Sequence, residues 1–248
     1  MKAIRLARRE DAEKAYPCAA ATTYFWGAGG LPLSRAWFAD NLGKHVEGWH
    51  LETDDGQVIG HLYWAPSEKA LVPYAIEEKV AFLYCEWIQR QWQGQGHMRR
   101  LFGAFLGFLR EESYKGVLVD GTEIEEYMHH SHFAKRGFQV IREAGGGKLM
   151  YLPLSQPTVC VEPLSPRITR QGTAPVEVLI IGSLFCPVGA SAVLGIRKVA
   201  AEFGDRVLVR EIPGDREALL AFGRADGIFV NGKEKWLGPA SDEEIRKG

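Results

Sequence analysis

Six consecutive residues, Gln91-Trp92-Gln93-Gly94-Gln95-Gly96, have the make-up of an anion site. They separate an apolar run that ends near Trp87 from a helical pattern that starts near His97. A strand, a turn with two glycines and a helix start, in that order, let the backbone come close to a ligand. The first helical turn then offers N–H groups that have no partner inside the helix. The ligand this suits is a pyrophosphate. Single residues exclude two other phosphate loops. A P-loop needs Lys and then Ser or Thr after its second glycine, where this chain has His97 and Met98. A dinucleotide fingerprint needs a third glycine, where this chain has Arg99.

The elements that must position this turn alternate between strand and helix. Residues 79–87 read as a strand and 117–119 as another. Between them, 97–113 reads as a helix with Met98, Leu101, Phe102, Phe105, Phe108 and Leu109 on one apolar face. Gly103 and Gly107 inside that helix each cost ~1 kcal/mol relative to alanine, which predicts a close approach of the helix to a sheet. Upstream, the pattern gives a strand at 3–6, a helix at 11–21 capped by Asp11 and a helix at 34–42. A hairpin follows, of 48–52 and 57–64 turning at Asp54-Asp55-Gly56.

The loop pattern Gln/Arg-x-x-Gly-x-Gly/Ala resembles the acetyl-coenzyme A loop of the GNAT family of N-acetyltransferases. The strand at 79–87, the helix at 97–113 and the strand at 117–119 resemble that family's fourth strand, the helix that takes the pyrophosphate, and its fifth strand. Phe133-Ala134-Lys135-Arg136-Gly137-Phe138 resembles its late helix ending in Gly-Phe. The likeness covers residues 1–151. It implies an α/β (α+β) fold, the GNAT acyl-CoA N-acyltransferase fold with a mixed, splayed central sheet, and acetyl-CoA or coenzyme A as cofactor. Gln91, Gln93, Gly94, Gln95, Gly96, His97 and Met98 would surround the diphosphate, with the pantetheine arm along Glu86, Trp87 and Ile88. An amine would attack the thioester directly, with Glu86 as the base. Phe133 stands where many GNAT enzymes carry the tyrosine that protonates the leaving thiolate, so Tyr127 and His132 become the substitutes. Tyr24 and Trp26, in an aromatic, glycine-rich stretch, would line the acceptor pocket. The acceptor is a small-molecule or peptide amine that the sequence does not select.

The rest of the chain bounds the function. Net charge is −1, which gives no reason to expect a nucleic-acid partner, and no apolar run reaches the ~20 residues of a membrane span. A charged, leaderless start places the chain in the cytoplasm, and a homodimer is left open. The four cysteines lack metal or CxxC spacing. In the histidine-rich stretch 125–132, Glu125 with His129 and Glu126 with His130 read as i,i+4 surface pairs, and no metal is expected. Five of the twelve prolines fall in 152–175, which reads as a linker.

Beyond it, residues 176–248 run strand, helix, strand, helix, hairpin, helix. The hairpin turns at Asn231-Gly232, Asp215 caps the second helix, and Ser241 with Glu244 forms a capping box on the last. This order resembles a small thioredoxin-like domain, with Cys186 where that family carries its active-site cysteine. A helix start there would lower the thiol's pKa. Gly189 replaces a second cysteine and Asp226 the usual cis-proline. The fusion resembles bacterial proteins. Two readings stand beside acyl transfer: a coenzyme A-binding regulator or sensor without transferase activity, and a monothiol redox protein acting through Cys186.

Overall fold

The computed structural model describes residues 1–20, 29–125, 127–144, 147–236 and 240–247. Its contacts divide the chain into two compact units. The first comprises Met1–Cys18, Asn41–Ala70 and Ala75–Glu162. The second comprises Ala19–Asp40, Leu71–Tyr74 and Pro163–Gly248.

The first unit is built on a mixed seven-stranded sheet. Its strands are Lys2–Arg5 (β1), Glu47–Glu52 (β2), Val58–Pro66 (β3), Val80–Ile88 (β4), Gly116–Thr122 (β5), Gln139–Ala144 (β6) and Gly147–Pro153 (β7). They lie in the order β1-β2-β3-β4-β5-β7-β6. All neighbours are antiparallel except β4 and β5, which run parallel. Parallel strands need a long crossover, and the helix His97–Glu111 supplies it. Its face of Leu101, Phe102, Phe105 and Leu109 is buried against Leu62, Trp64, Leu83 and Val119 of the sheet. The hairpin turn forms as the sequence predicts, with Gly56 at φ +84° and its amide on the Thr53 carbonyl.

Two local expectations fail, and one strand pair was not expected. The stretch 11–21 is a 3₁₀ turn, Arg9–Lys14, and a short helix, Pro17–Ala20, broken by Tyr16 at φ +58°. The cap position is Arg8, not Asp11; Asp11 sits at the third position of the turn and accepts from the amides of Ala7 and Arg8 at 2.9 Å each. Gly103 and Gly107 do not face the sheet: a Cβ added at either would meet nothing within 4 Å. The strand pair β6–β7 falls where the sequence reading stopped at Gly-Phe. Gly137 turns the chain there at φ +94°.

The second unit holds a four-stranded sheet of Val176–Ile181 (β8), Val207–Ile212 (β9), Gly227–Val230 (β10) and Lys233–Trp236 (β11), ordered β9-β8-β10-β11. β8 and β9 are parallel, and the other neighbours are antiparallel. The helix Pro187–Ala201 covers one face through Ala192, Val193, Ile196 and Val199, and Ala218 of the helix Arg216–Phe222 packs on the other. Both predicted caps are present. Asp215 Oδ1 accepts from the Ala218 amide at 2.9 Å, and Ser241 and Glu244 exchange bonds across the start of Asp242–Lys247. The helix Leu31–Asn41 lies in this unit up to Asp40. The reason is visible at Gly30, whose amide donates to Ser191 Oγ at 2.8 Å, and at Trp37, whose ring meets Phe185 edge-on. Among the described residues no helix is long and apolar enough to cross a membrane.

Candidate functional site

The glycine turn is held from below by its glutamines. Gln89, buried, donates from its side chain to the Val58 carbonyl at 3.0 Å. Gln93 Nε2 donates to the Ile88 carbonyl at 2.9 Å, and Gln95 Nε2 to the Gln91 carbonyl at 3.1 Å. These side chains bond to carbonyls of the chain and leave the N–H groups of residues 94–96 unclaimed. Gly94 and Gly96 sit at φ +74° and +81°, a region that disfavours any residue with a Cβ. Gly96 caps the helix without a side-chain bond, and the first amide to return to the chain is Arg100, on the Gly96 carbonyl at 3.2 Å. The amides of residues 94–99 therefore donate to no acceptor among the described residues. A Cβ at Gly94 or Gly96 would meet nothing within 4 Å, so no described residue covers the turn at either glycine. Six free N–H groups at the positive end of a helix form an anion nest.

The second component is a gap in the sheet. In the β3–β4 ladder Tyr63 faces Cys85 but Trp64 faces Leu83, so Tyr84 is an extra residue, a β-bulge. β4 pairs with β5 only from Val80 to Leu83. Past the bulge β4 runs on to Ile88, while residues 120–122 of β5 continue to pair with β7. The strands thus stop pairing before the stretch Glu86–Ile88, leaving a slot between them.

Side chains from the turn after β5 reach this slot. The Glu86 amide donates to Met128 Sδ at 3.4 Å, and Met128 is held at φ +47°. The Glu86 carboxylate, 8% exposed, accepts from both terminal nitrogens of Arg136, one at 2.8 Å, in a bidentate ion pair. The guanidinium lies over the rings of Phe102 and Phe133 at 4.6 and 4.9 Å. Phe133 is in the core, so its position offers no route for a proton. Tyr127 is 47% exposed on the turn, and His132 packs edge-on against His129. Tyr24 and Trp26 lie outside the described residues.

The histidine stretch differs from its sequence reading. The helix begins only at His130, with His129 as its N-cap, so Glu125 and His129 are not a helical i,i+4 pair; the pair of Glu126 with His130 lies outside the described residues. His130 Nε2 lies 3.2 Å from Glu123 Oε2, and Lys148 Nζ lies 3.0 Å from Glu123 Oε1. The Lys148 hydrogen bond holds the Glu123 carboxyl below its usual range.

In the second unit Cys186 is the N-cap of its helix, where the sequence places it, but its thiol behaves in the opposite sense. Burial pushes its pKa up from 9.0; the amides of Val188 and Gly189 oppose that shift, and Asp226 adds to it. Burial also raises Asp226 above 3.8, while Ser183 donates to it at 2.5 Å.

No family model and no curated protein matches the chain. Solved structures do. One is an acetyltransferase of the GNAT family from Listeria monocytogenes, 16% identical, covering 61% of this chain and 95% of its own, with a TM-score of 0.47. Another is the ribosomal-protein-S18-alanine N-acetyltransferase from Escherichia coli, 17% identical over 63% of this chain and 97% of its own, with a TM-score of 0.46. A third is the PaiA N-acetyltransferase from Thermoplasma acidophilum in complex with coenzyme A, 12% identical over 62% of this chain and 100% of its own, with a TM-score of 0.44. Scores below 0.5 do not assign chemistry to this chain.

The sequence reading names the glycine turn and Glu86 but omits Met128, Arg136 and the bulge at Tyr84. Arg136 stands inside the quoted Phe133–Phe138 stretch, and its charge between two aromatics was a usable signal. Nothing in a one-dimensional pattern marks the bulge.

Proposed function

We propose that the first unit transfers an acyl group from a coenzyme A thioester to an amine. The observation that carries this reading is the parting of β4 from β5 at Tyr84, followed in the same strand–turn–helix unit by the six free amides of residues 94–99. An anion nest alone suits many phosphates. A nest next to a slot with an unladdered strand edge suits a diphosphate that carries a long, amide-containing arm, because such an arm can pair with the strand as another strand would. Coenzyme A has that chemistry, and its thioester supplies an activated carbonyl.

In this reading the amides from Gly94 to Arg99, with the side chains of Gln91 and Gln93 beneath them, take the diphosphate, and residues Glu86–Ile88 take the arm. The Glu86 amide then donates to the carbonyl oxygen as charge develops on it, once Met128 has given way. The carboxylate of Glu86 keeps lone pairs beyond the two that accept from Arg136, and through one of them a water carries the amine's proton away. Tyr127 and His132 are the groups available to protonate the leaving thiolate. The rest of the rate comes from holding amine and thioester together.

A second reading, coenzyme A binding without transfer, draws on the burial of Phe133 and the commitment of Glu86 to Arg136. For the second unit we infer a thioredoxin-like fold, from the order β9-β8-β10-β11, its single parallel pair and the helix that starts at Pro187. The raised thiol of Cys186 speaks against redox chemistry as the protein's main activity.

Calorimetric titration of coenzyme A and acetyl-CoA into the full chain tests the binding site. Release of free thiol from acetyl-CoA with a panel of primary amines then separates transfer from binding alone. Saturable binding with amine-dependent thiol release supports acyl transfer. Binding with no thiol release across amines leaves the second reading, and no binding removes both.

A further inference from the structure

The turn after β5 carries a cluster that acyl transfer does not use. We infer that Glu123, His129 and His130 form a binding site for a divalent transition metal, with Zn2+ the best match to one carboxylate and two imidazoles. The ligand atoms of the three side chains all lie within 4.8 Å of one another. That places them at the corners of a triangle that one ion can bridge, since bonds of ~2.0–2.2 Å from a common centre put ligands ~3–4 Å apart and small side-chain rotations cover the remainder.

The backbone makes this convergence. Gly121 of β5 faces Lys148 of β7, and a Cβ on Gly121 would come within 2.9 Å of the His130 Cβ. The missing side chain lets His130 lie directly on the strand, against Lys148 and Glu123. His129 stacks on His130 with ring centroids 4.5 Å apart and 29° between planes, so both imidazoles leave the chain toward the same side. His129 Nδ1 lies 2.8 Å from Ser131 Oγ, the kind of outer contact that orients a metal-binding imidazole. Glu123 remains half exposed, which gives an ion a path in.

The site already holds a cation of the protein's own. Lys148 Nζ lies 3.0 Å from Glu123 Oε1 and 3.5 Å from His130 Nε2, and a metal ion has to displace it. This separates a metal site from a plain ion-pair network. In a network Lys148 is a partner whose removal only loosens the cluster. In a metal site it is a competitor whose removal helps the ion. Binding would also tie Glu123 to His129 across the turn that carries Met128, whose sulfur meets the Glu86 amide. The metal inference itself does not depend on the acyl-transfer reading.

The test uses the full chain, stripped with a chelator, and Zn2+ measured by competition with a chromophoric chelator. Expected are one equivalent bound per chain, a loss of more than ~10-fold in affinity for Glu123→Gln and for His130→Gln, and a gain for Lys148→Met. Co2+ in place of Zn2+ should show the visible bands of a nitrogen- and oxygen-ligated ion without the near-ultraviolet band of a thiolate. The inference is overturned if Zn2+ is not held stoichiometrically, if Glu123→Gln and His130→Gln bind as the parent does, if Lys148→Met binds more weakly, or if Co2+ reports thiolate ligands. Circular dichroism of each variant establishes that it is folded, and Lys148→Met tests the site without removing any of its ligands.

Discussion

The two units each follow a strand with a helix, yet they use the first amides of that helix in opposite ways. In the first unit the turn enters through Gly94 and Gly96, the glutamines bond to the chain's own carbonyls, and six amides have no acceptor among the described residues. In the second the helix enters through Cys186 and Pro187. Proline at the first position has no amide to offer, and the amides of Val188 and Gly189 are directed at the thiol of the same chain. A helix start is therefore an external anion site only when nothing internal has claimed it. The difference lies in a few side chains, since strand, turn and helix are alike in kind.

The largest effect is expected at the turn. Gly96→Val places a β-branched residue at φ +81° and a side chain in the open space, and strain of ~1–3 kcal/mol on the bound geometry should weaken coenzyme A binding by ~10–100-fold. Calorimetry reads the loss, and unchanged affinity would show that these amides do not hold the ligand. At the matching place in the second unit, burial is the main cause of the raised thiol and the Asp226 carboxylate is a smaller one. Asp226→Asn removes the nearby negative charge, so the Cys186 thiol should ionise at lower pH, seen as faster alkylation at a given pH.

Asp226 also gives this unit a pH-dependent stability. Burial raises its pKa, so the folded unit keeps a proton that the unfolded chain releases once pH exceeds the ordinary 3.8. Its contribution is full below that value and is lost as pH rises through the folded value. Hydrogen exchange of the β8 amides should speed up across that window in the parent, and the slope should flatten in Asp226→Asn.

Two smaller effects concern the first unit. Met128→Ala frees the Glu86 amide and removes a side chain held at positive φ, so coenzyme A should bind several-fold tighter. Weaker binding would mean that Met128 contacts the ligand. Gly103→Ala should stabilise the helix by up to ~1 kcal/mol in urea unfolding, because its added Cβ meets nothing.

The sequence carried much of this at the level of local pattern. Periodicity marked the buried face of His97–Glu111, and turn chemistry marked Asp54-Asp55-Gly56 and Asn231-Gly232. Capping marked Asp215 and Ser241 with Glu244. Each of these depends on residues close together in the chain. What the sequence did not carry depends on partners far apart. The slot needs one extra residue at Tyr84 measured against β3, and the fate of Glu86 depends on Arg136, fifty residues later. Gly103 and Gly107 misled because a glycine inside a helix signals a close neighbour only if it faces one. Cys186 misled because its position was legible and the surroundings of its thiol were not.

The most direct test of the central claim is a backbone amide spectrum of the full chain titrated with coenzyme A. The account requires the amide signals of residues 94–99 and of Glu86–Ile88 to move together and saturate at one equivalent, with those of Val188 and Gly189 unmoved. Saturable shifts elsewhere with residues 94–99 silent, or no shifts at all, would contradict it.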